Sequence, residues 1–493
     1  MASRIECGER IAAGRGRYLL FSARHIALQI ALVGFHIVAL WAPPVTAGPK
    51  MEPGTVANAA LALAIKDIAH PLSGAITDYD HLLRKIGNAR IVLLGEDTHG
   101  THEFYVERAR ITQRLIAEQG FAGVFIEGDW SEAAGVDPFL IGPDHDGDAN
   151  QILRTFDRFP RWMWRNTAFR DFLVWLRRFN LERDAGTHPV TIRGLDLYEI
   201  LPSVNAVIGY LARANPDAAA RARERYSCLD PAAASRPEGR AAEAKWSGVG
   251  CGQRAQDQLT ELASGTFLNS PAVVDMADGG YLHALQSARV VRNAEEYFRL
   301  AEVNPEAAWN LRDNHMASSV DLLLTHLDAA TGARSRLVIW AHNAHVGDAR
   351  ATARGDAGGL TLGQVLRERY PDNATIVGFT TATGTVRAAT DWGGPDRRKR
   401  LRPPVIGSHA ALFNATGLPR FYLILDESPS VHAALADSRP QRGVGVRYLP
   451  TLEIAGHYYR ARLSAQFDAV VHIDRTTALL PLRKKPPGRG KPP

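Results

Sequence analysis

The sequence predicts an α/β fold with a mostly parallel central sheet flanked by helices, and with a helical insertion that forms one side of a cleft. Short apolar runs without alternating polar residues recur along the chain, which is typical of strands buried on both faces of a sheet. Helical patterns separate these runs, and strands that alternate with helices favour parallel pairing. The 493 residues are enough for about two or three domain-sized units.

Seven apolar runs are predicted to form strands. The first, Ala89–Gly95, precedes a helical pattern over Thr101–Gln119, which Gly120 is placed to end. The other six predicted strands are Gly123–Glu127, Val190–Leu195, Leu337–Ala341, Thr375–Phe379, Phe421–Leu425 and Ala469–Ile473. Strand signals are few between Ile200 and Leu327, so we expect a helical insertion there, with a loop from Asp230 to Gly252.

These patterns divide the chain into five segments. Residues 1–47 are predicted to be a signal peptide, with a membrane anchor as the alternative. Residues 48–199 and 331–482 are predicted to form the two parts of the α/β domain, and residues 200–330 the insertion between them. The tail, residues 483–493, is rich in Lys, Arg, Pro and Gly, and we expect it to be disordered.

The leading segment has the layout of a secretory signal. The apolar stretch Ile26–Trp41 follows basic residues, Pro43 and Pro44 end it, and small residues come before Gly48. A span of 16 residues is short for a membrane anchor, which needs about 20. We therefore expect an exported protein, periplasmic or secreted, with no stable membrane association once the signal is cleaved.

The net charge of +6 does not indicate a nucleic-acid partner. Residues 1–47 carry +3 and residues 483–493 carry +5, which leaves the body of the chain slightly acidic. One basic run, Arg397–Arg400, is flanked by Gly and Pro and is predicted to be a solvated loop. A polyanion would need a basic face across the folded body, and none is expected.

The chain has three cysteines, one of them in the leading segment. The remaining two, Cys228 and Cys251, are 23 positions apart. In an oxidising compartment they would be able to form a disulfide, and two free thiols are the alternative.

Polar and titratable side chains follow four consecutive predicted strands. They are Glu96, Asp97, Thr98 and His99 after the first strand; Glu127 at the end of the second, followed by Asp129 and by the aromatic Trp130; Asp196 and Tyr198 after the third; and His342, Asn343, His345 and Asp348 after the fourth. Ligands of open α/β sheets bind beyond the carboxyl ends of the strands. The pattern predicts a catalytic site that activates water through a general base or holds a divalent metal.

Several common catalytic motifs are missing from the sequence. It contains no GxSxG, no HExxH and no Walker A motif. The turn after the first strand reads GEDTHG rather than GxGxxG, so a dinucleotide-binding fold is not supported. Histidines, carboxylates and arginines remain as the groups available for chemistry.

Five blocks along the chain match the ordered motifs of one protein family. The first is Gly95–Phe104 (GEDTHGTHEF), and the later ones are Arg158–Asn166, Gly194–Tyr198, Arg312–Ala317 and Trp340–Asp348. In this order they resemble the motifs of the erythromycin esterase family, whose opening reads GExxHGTxEF and whose RDxxMA helix falls on Arg312–Ala317. The sequence departs from the family pattern at Asp97-Thr98, where Ala or Ser followed by Ser is usual, and at Gly128, where Ala is expected.

The resemblance implies hydrolysis of a carboxylic ester or macrolactone with water as the nucleophile. It places the base on His99, the essential glutamates on Glu96 and Glu127, and the arginine on Arg108. The later histidines of the family fall on His342 and His345. Arg108 or a protonated histidine would stabilise the oxyanion.

A bulky substrate would also need a binding surface. We expect it from the side chains of His345, Asp196, Tyr198, Trp130 and Trp164. Core packing is the expected role for at least one of the tryptophans. The oligomeric state is open.

Two other classes of function stay open. One is a metal-dependent envelope hydrolase of an amide or peptide bond, with Glu96, His99, Glu127 and His342 around a divalent cation. The other is a non-catalytic binding protein linked to exopolysaccharide. No cofactor is required by the sequence pattern alone.

Overall fold

The apolar runs of the sequence assemble into one mixed central sheet. The computed structural model describes residues 54–142, 148–184, 186–229, 251–267 and 279–482. The predicted signal peptide, the basic tail and residues 230–250 of the predicted loop lie outside the described residues. The described part belongs to one compact unit.

The described residues contain eleven strands, numbered here in chain order. They are β1 His70–Pro71, β2 Ile91–Leu94, β3 Gly123–Asp129, β4 Thr191–Asp196, β5 Leu337–Trp340, β6 Ala374–Ala388, β7 Arg397–Arg400, β8 Arg420–Ile424, β9 Arg439–Arg442, β10 Tyr458–Ala461 and β11 Ala469–Thr476. The order in the main sheet is β1-β8-β11-β6-β2-β5-β3-β4, with β7 paired to β6, while β9 and β10 form a separate antiparallel pair.

The middle of the sheet is parallel, as predicted. The pairs β11–β6, β6–β2, β2–β5, β5–β3 and β3–β4 are all parallel, and β1, β7 and β8 are antiparallel to their neighbours. Every residue of β2 and of β5 is buried. Alternate side chains pack into two different cores, with Ile91 and Leu93 on one face of the sheet and Val92 and Leu94 on the other. Burial on both faces explains the unbroken apolar runs.

Helices cover both faces of the sheet. They are α1 Gly54–Ile68, α2 Asp80–Ile86, α3 His102–Gln119, α4 Trp130–Ala134, α5 Asp137–Ile141, α6 Ala149–Ile152, α7 Thr167–Leu181, α8 Ile200–Ala214, α9 Pro216–Tyr226, α10 Cys251–Ala263, α11 Gly279–Val303, α12 Pro305–Thr331, α13 Asn343–Val346, α14 Ala353–Asp356, α15 Leu362–Arg369, α16 His409–Asn414, α17 Pro429–Leu435, α18 Glu453–Gly456 and α19 Leu463–Gln466. The predicted end of α3 is confirmed, because Gly120 has φ +68° and its amide bonds to Leu115. Within the described residues, no helix combines the length and the apolar character needed to cross a bilayer.

The chain between β4 and β5 is helical in its described parts, as predicted. Helices α8 to α12 occupy this region, and the two long ones, α11 and α12, pack against each other. Cys228 and Cys251 form a disulfide with their Cα atoms 5.8 Å apart. It joins the segment after α9 to the start of α10.

The basic run Arg397–Arg400 is a strand rather than the predicted solvated loop. Strand β6 continues to Ala388, nine residues beyond the predicted end at Phe379, and its extension pairs antiparallel with β7. The prediction was wrong because the backbone of a long neighbouring strand was available for pairing. Polar side chains do not prevent pairing at such an edge, and most of this run stays exposed.

Candidate active site

The carboxyl ends of β2, β3, β4 and β5 meet at one edge of the sheet, beside a cavity of about 440 Å³. Predicted residues that line it are His99, Glu127, Trp164, Asp196, Tyr198, His342 and His345. The helical insertion provides another wall through Tyr297 on α11 and Trp309 and Arg312 on α12. Strand β2 lies between β5 and β6, so the chain adds later strands on both sides of it. In open α/β sheets a crevice forms where the strand order reverses in this way.

His99 is held at one ring nitrogen and faces the cavity with the other. The buried Glu96 carboxylate lies with Oε1 2.8 Å from His99 Nδ1, and its Oε2 accepts from Arg108 Nη2 at 2.8 Å. An ionised carboxylate only accepts hydrogen bonds, so His99 carries a proton on Nδ1. The neutral ring then has its lone pair on Nε2, which is 4.0 Å from Glu127 Oε1.

Close backbone packing holds the turn that carries His99. The His99 amide donates to the carbonyl of Val444 at 3.1 Å. At Gly100, a Cβ atom would lie 1.8 Å from the carbonyl oxygen of Arg387, so only glycine fits here.

Arg108 lies behind Glu96 and does not line the cavity. Its side chain is fully buried, and its guanidinium carbon is 4.3 Å from the ring centroid of Tyr105 and 5.0 Å from that of Trp340. The expectation that Arg108 stabilises an oxyanion does not fit this position. Helix α3 points the guanidinium at Glu96, so it neutralises the carboxylate that orients His99.

Glu127, at the end of β3, joins two sides of the site. Its Oε1 accepts from Arg312 Nη2 at 2.9 Å and lies 3.3 Å from His345 Nε2, while its Oε2 accepts from the His342 amide at 2.8 Å. Burial by itself would raise the pKa of Glu127, but His345, His99 and Arg312 together hold it well below its usual range. Glu127 is therefore an anion that faces the cavity.

His345 sits between two carboxylates. Its Nδ1 is 2.9 Å from Asp313 Oδ2, and its ring stacks on Trp309 with centroids 4.4 Å apart. Burial opposes the charged form, but Asp313 and Glu127 raise the pKa of His345 to about 9. Arg312 Nη1 approaches Nε2 to 2.8 Å and acts in the opposite direction. The two anions outweigh the arginine, so His345 is the cationic histidine of the site.

His342 has the opposite character. Its Nδ1 accepts from the Ala344 amide at 3.1 Å and caps α13, which leaves the proton on Nε2. Burial, followed by the neighbouring His99, holds the pKa of His342 well below its usual range. The backbone of Asp97 acts in the opposite direction and raises the pKa. Among the described residues, Nε2 has no hydrogen-bond partner. His342 is therefore a neutral ring that lines the cavity and keeps a buried proton on Nε2.

Arg312 and Asp313 are central to the site, although the sequence analysis gave them no role. Arg312 binds Asp196 through two contacts, Nε to Oδ1 at 2.8 Å and Nη2 to Oδ2 at 2.6 Å, besides its bond to Glu127. Both residues are the first two of the RDxxMA block, and this motif was the feature of the sequence that could have indicated their role. They lie within α12 rather than at the end of a strand, so a search for polar residues at the carboxyl ends of strands does not find them.

Of the aromatic residues predicted to contact a substrate, two line the cavity and one lies in the hydrophobic core. Trp164 lines the cavity, and so does Tyr198, whose ring lies beneath the guanidinium groups of Arg158 and Arg312. Trp130 is 1% exposed, stacks on His283 and belongs to the hydrophobic core. Its prediction as a substrate contact fails because α4 begins at Trp130 and turns the indole away from the cavity.

The four predicted metal ligands do not converge on one point. Glu96 already binds His99 and Arg108, and His342 Nδ1 accepts a backbone hydrogen bond. Among the described residues, two groups have donor atoms close enough for one ion, and neither contains His99 or His342. These four residues therefore do not fit a shared metal site.

Comparison with known proteins agrees with the resemblance seen in the sequence. The family model described as "Erythromycin esterase" matches residues 116–476. An erythromycin esterase type II from Escherichia coli is 20% identical over 425 residues, which cover 81% of this chain and 93% of that protein.

Solved structures share the fold. A Bacillus cereus protein matches with a TM-score of 0.70 at 20% identity, covering 86% of this chain and 99% of its own. A succinoglycan biosynthesis protein matches with a TM-score of 0.68 at 20% identity and the same coverage. A mutant of the erythromycin esterase EreC in an open conformation matches at 0.61 and 16% identity, covering 82% of this chain and 94% of its own. The chain belongs to the erythromycin esterase family, a family of esterase-type hydrolases.

Proposed function

We propose that this protein hydrolyses a carboxylic ester or macrolactone by means of water that His99 activates. The observation that carries the proposal is the chain of hydrogen bonds from Arg108 through Glu96 to His99 Nδ1. It fixes the tautomer in which Nε2 is free to accept a proton at the cavity. A general base needs this combination of a fixed ring and a free lone pair.

Glu127 is the proposed second anchor for the attacking water. Its Oε1 lies 4.0 Å from His99 Nε2, which is too far for a direct hydrogen bond. A water placed between them would donate one proton to each atom. His99 then takes a proton as the water oxygen attacks the ester carbonyl carbon.

The oxyanion that forms needs a donor that is already in place. His342 Nε2 suits this role, because its proton is fixed there and the ring is neutral. Preorganised donors of this kind contribute about 3–4 kcal/mol to acyl transfer. When the intermediate collapses, the acyl carbon–oxygen bond breaks and His99 returns its proton to the departing alkoxide. The products are a carboxylic acid and an alcohol.

Macrolide-like lactones are the proposed substrate class. The similar protein from Escherichia coli is named an erythromycin esterase, and the aromatic walls of Trp164, Tyr198 and Trp309 supply apolar surface for a bulky ring. The acidic and basic groups are concentrated at the strand ends, where the bond to be cleaved would lie.

An assay panel of lactones, including macrolides, and simple esters tests the proposal, with an exopolysaccharide fragment as a binding probe. We expect hydrolysis of at least one ester or lactone, undiminished by a chelator, and a His99→Ala variant that has lost most of the turnover. Turnover that a chelator abolishes would favour the metal-dependent alternative. Binding of the exopolysaccharide with no turnover on the panel would favour the binding protein.

Export is also part of the proposal. The disulfide between Cys228 and Cys251 supports it, since such bonds persist in oxidising compartments. N-terminal sequencing of protein recovered outside the cytoplasm should begin near Gly48. Recovery with Ile26–Trp41 still attached would indicate the anchored alternative.

A further inference from the structure

Two histidines and a glutamate meet on the surface, away from the catalytic cavity. His70 Nε2 lies 3.0 Å from Glu427 Oε2, and His81 Nδ1 lies 3.8 Å from Glu427 Oε1. One ligand atom from each residue falls within 4.8 Å of the others. The two imidazole centroids are 4.7 Å apart. The carboxylate thus presents one oxygen to each ring.

The backbone places the three residues from three separate elements. His70 is in β1 and pairs across to Tyr422 in β8, Glu427 follows β8, and His81 is on α2. The His70 ring also stacks on Tyr422, with centroids 4.7 Å apart and planes at 12°. Sheet pairing and stacking therefore hold His70 and Glu427 in position before any ligand arrives.

The cluster lies at the other edge of the sheet from the catalytic residues. Strand β8 runs antiparallel to β11, which is parallel to β6 and β2. The end of β8, where Glu427 follows, is therefore at the amino edge of the parallel strands. His99 and Glu127 follow the carboxyl edge.

We propose that His70, His81 and Glu427 bind a divalent transition metal of the zinc type. Two imidazole nitrogens and a carboxylate oxygen form a donor set suited to zinc, whereas magnesium and calcium favour oxygen ligands alone. Ligand atoms of a tetrahedral zinc lie about 3.3 Å apart, given bonds of about 2.0–2.1 Å. His70 Nε2 and Glu427 Oε2 are 3.0 Å apart, close to this value, and His81 Nδ1 lies 3.8 Å from the other oxygen of the same carboxylate. With one ligand atom from each residue, all three atoms lie within 4.8 Å of one another. The side chain of His81 is 55% exposed, so water is available as the fourth ligand.

Such an ion would tie α2 to the β1–β8 edge of the sheet. Nothing in the cluster touches the groups that carry the proposed hydrolysis, so the inference does not depend on that function. The expected effect is stabilisation of this edge, since a ligand that binds only the folded state raises its stability.

Titration of Zn²⁺ into the full-length chain, purified without a polyhistidine tag and stripped with chelator, tests the site. We expect one equivalent to bind and the melting temperature to rise. His81→Ala should weaken the affinity by about tenfold or more, because the loss of an outer partner alone costs 10–100-fold. Co²⁺ at the same site should give the visible absorption of a four-coordinate ion, and His81→Ala should remove it.

Two matched variants separate this site from other sites for zinc. Lys85→Ala removes a neighbour on α2 that pairs with Asp426 but supplies no ligand, and it should bind Zn²⁺ like the native chain. His99→Ala should also bind one equivalent of Zn²⁺, which would place the ion outside the catalytic cavity. Binding that survives both His70→Ala and His81→Ala, or binding that His99→Ala abolishes, would overturn the proposal.

Discussion

The cavity holds two histidine–carboxylate pairs that differ in how the carboxylate is compensated. Glu96, beside His99, has an arginine on its other oxygen. Asp313, beside His345, is joined by a second anion, because Glu127 lies 3.3 Å from the far nitrogen of the same ring. One ring thus faces a single carboxylate that is paired with an arginine, and the other lies between two carboxylates, of which Glu127 is also paired with Arg312.

The surroundings of each carboxylate determine what its histidine can do. The guanidinium of Arg108 neutralises the Glu96 carboxylate. Glu96 orients His99 through Nδ1, and Nε2 stays free at the cavity. The two anions beside His345 instead raise its pKa to about 9, despite burial. The first pair suits proton transfer, and the second suits a fixed positive charge next to Glu127.

The largest expected effect comes from removing the base. His99→Ala should reduce turnover by about 10²–10⁴-fold or more, because general-base catalysis contributes about that much. His345→Gln should cost less, since it changes charge at the cavity without removing the proton acceptor. Steady-state kinetics of both variants, with circular dichroism as a fold control, measure the difference. Equal losses in the two variants would show that His99 and His345 do not differ in role.

His342 tests whether a third, neutral histidine supplies the oxyanion donor. In His342→Asn the amide oxygen can still cap α13, while the Nε2 donor is lost. We expect kcat to fall by about 10²–10³-fold. The pH profile should keep its shape, because His342 stays neutral in the working range. A shifted profile would instead make His342 a titrating group of the reaction.

The charge on His345 predicts a pH-dependent stability. Its folded pKa of about 9 lies above the unfolded value of about 6.5. The imidazolium therefore stabilises the fold fully below about pH 6.5, and this contribution is lost as the pH rises through the folded value. We expect the unfolding free energy of the native chain, minus that of His345→Gln, to fall by about 3 kcal/mol over this window. Urea unfolding at several pH values measures it, and a flat difference would show that Arg312 keeps His345 neutral.

The smallest expected effect concerns the wall beside Glu127. A Cβ atom at Gly128 would lie 2.9 Å from Trp164 Nε1, so Gly128→Ala requires the indole to move. We expect a stability loss of about 1–3 kcal/mol from overpacking. We also expect the substitution to raise KM more for a bulky substrate than for a small one. Kinetics on a large lactone and a small ester measure this difference. Unchanged KM values for both would show that Trp164 does not shape the pocket.

Much of the site was predictable because strand ends are local features of the sequence. Parallel strands bring their carboxyl ends to one edge of the sheet, so residues at or just after the apolar runs were within reach of this reasoning. They are Glu96, His99, Glu127, Asp196, Tyr198, His342 and His345. Arg312 shows the limit of that reasoning. It lies 185 residues from Glu127 in the chain, and only the packing of α12 beside β4 brings the two together.

Local sequence patterns were enough to predict the buried parallel strands, the helix that ends at Gly120, the helical insertion and the carboxylates at the strand ends. These follow from periodicity and from turn residues, which act over a few positions. The tertiary structure decided that Arg108 faces Glu96 and not the cavity, that Trp130 belongs to the core, and that Arg397–Arg400 pairs as a strand. Each of these depends on which distant atoms were available as partners, and a buried charge or an unpaired backbone group takes the nearest partner that the completed fold supplies.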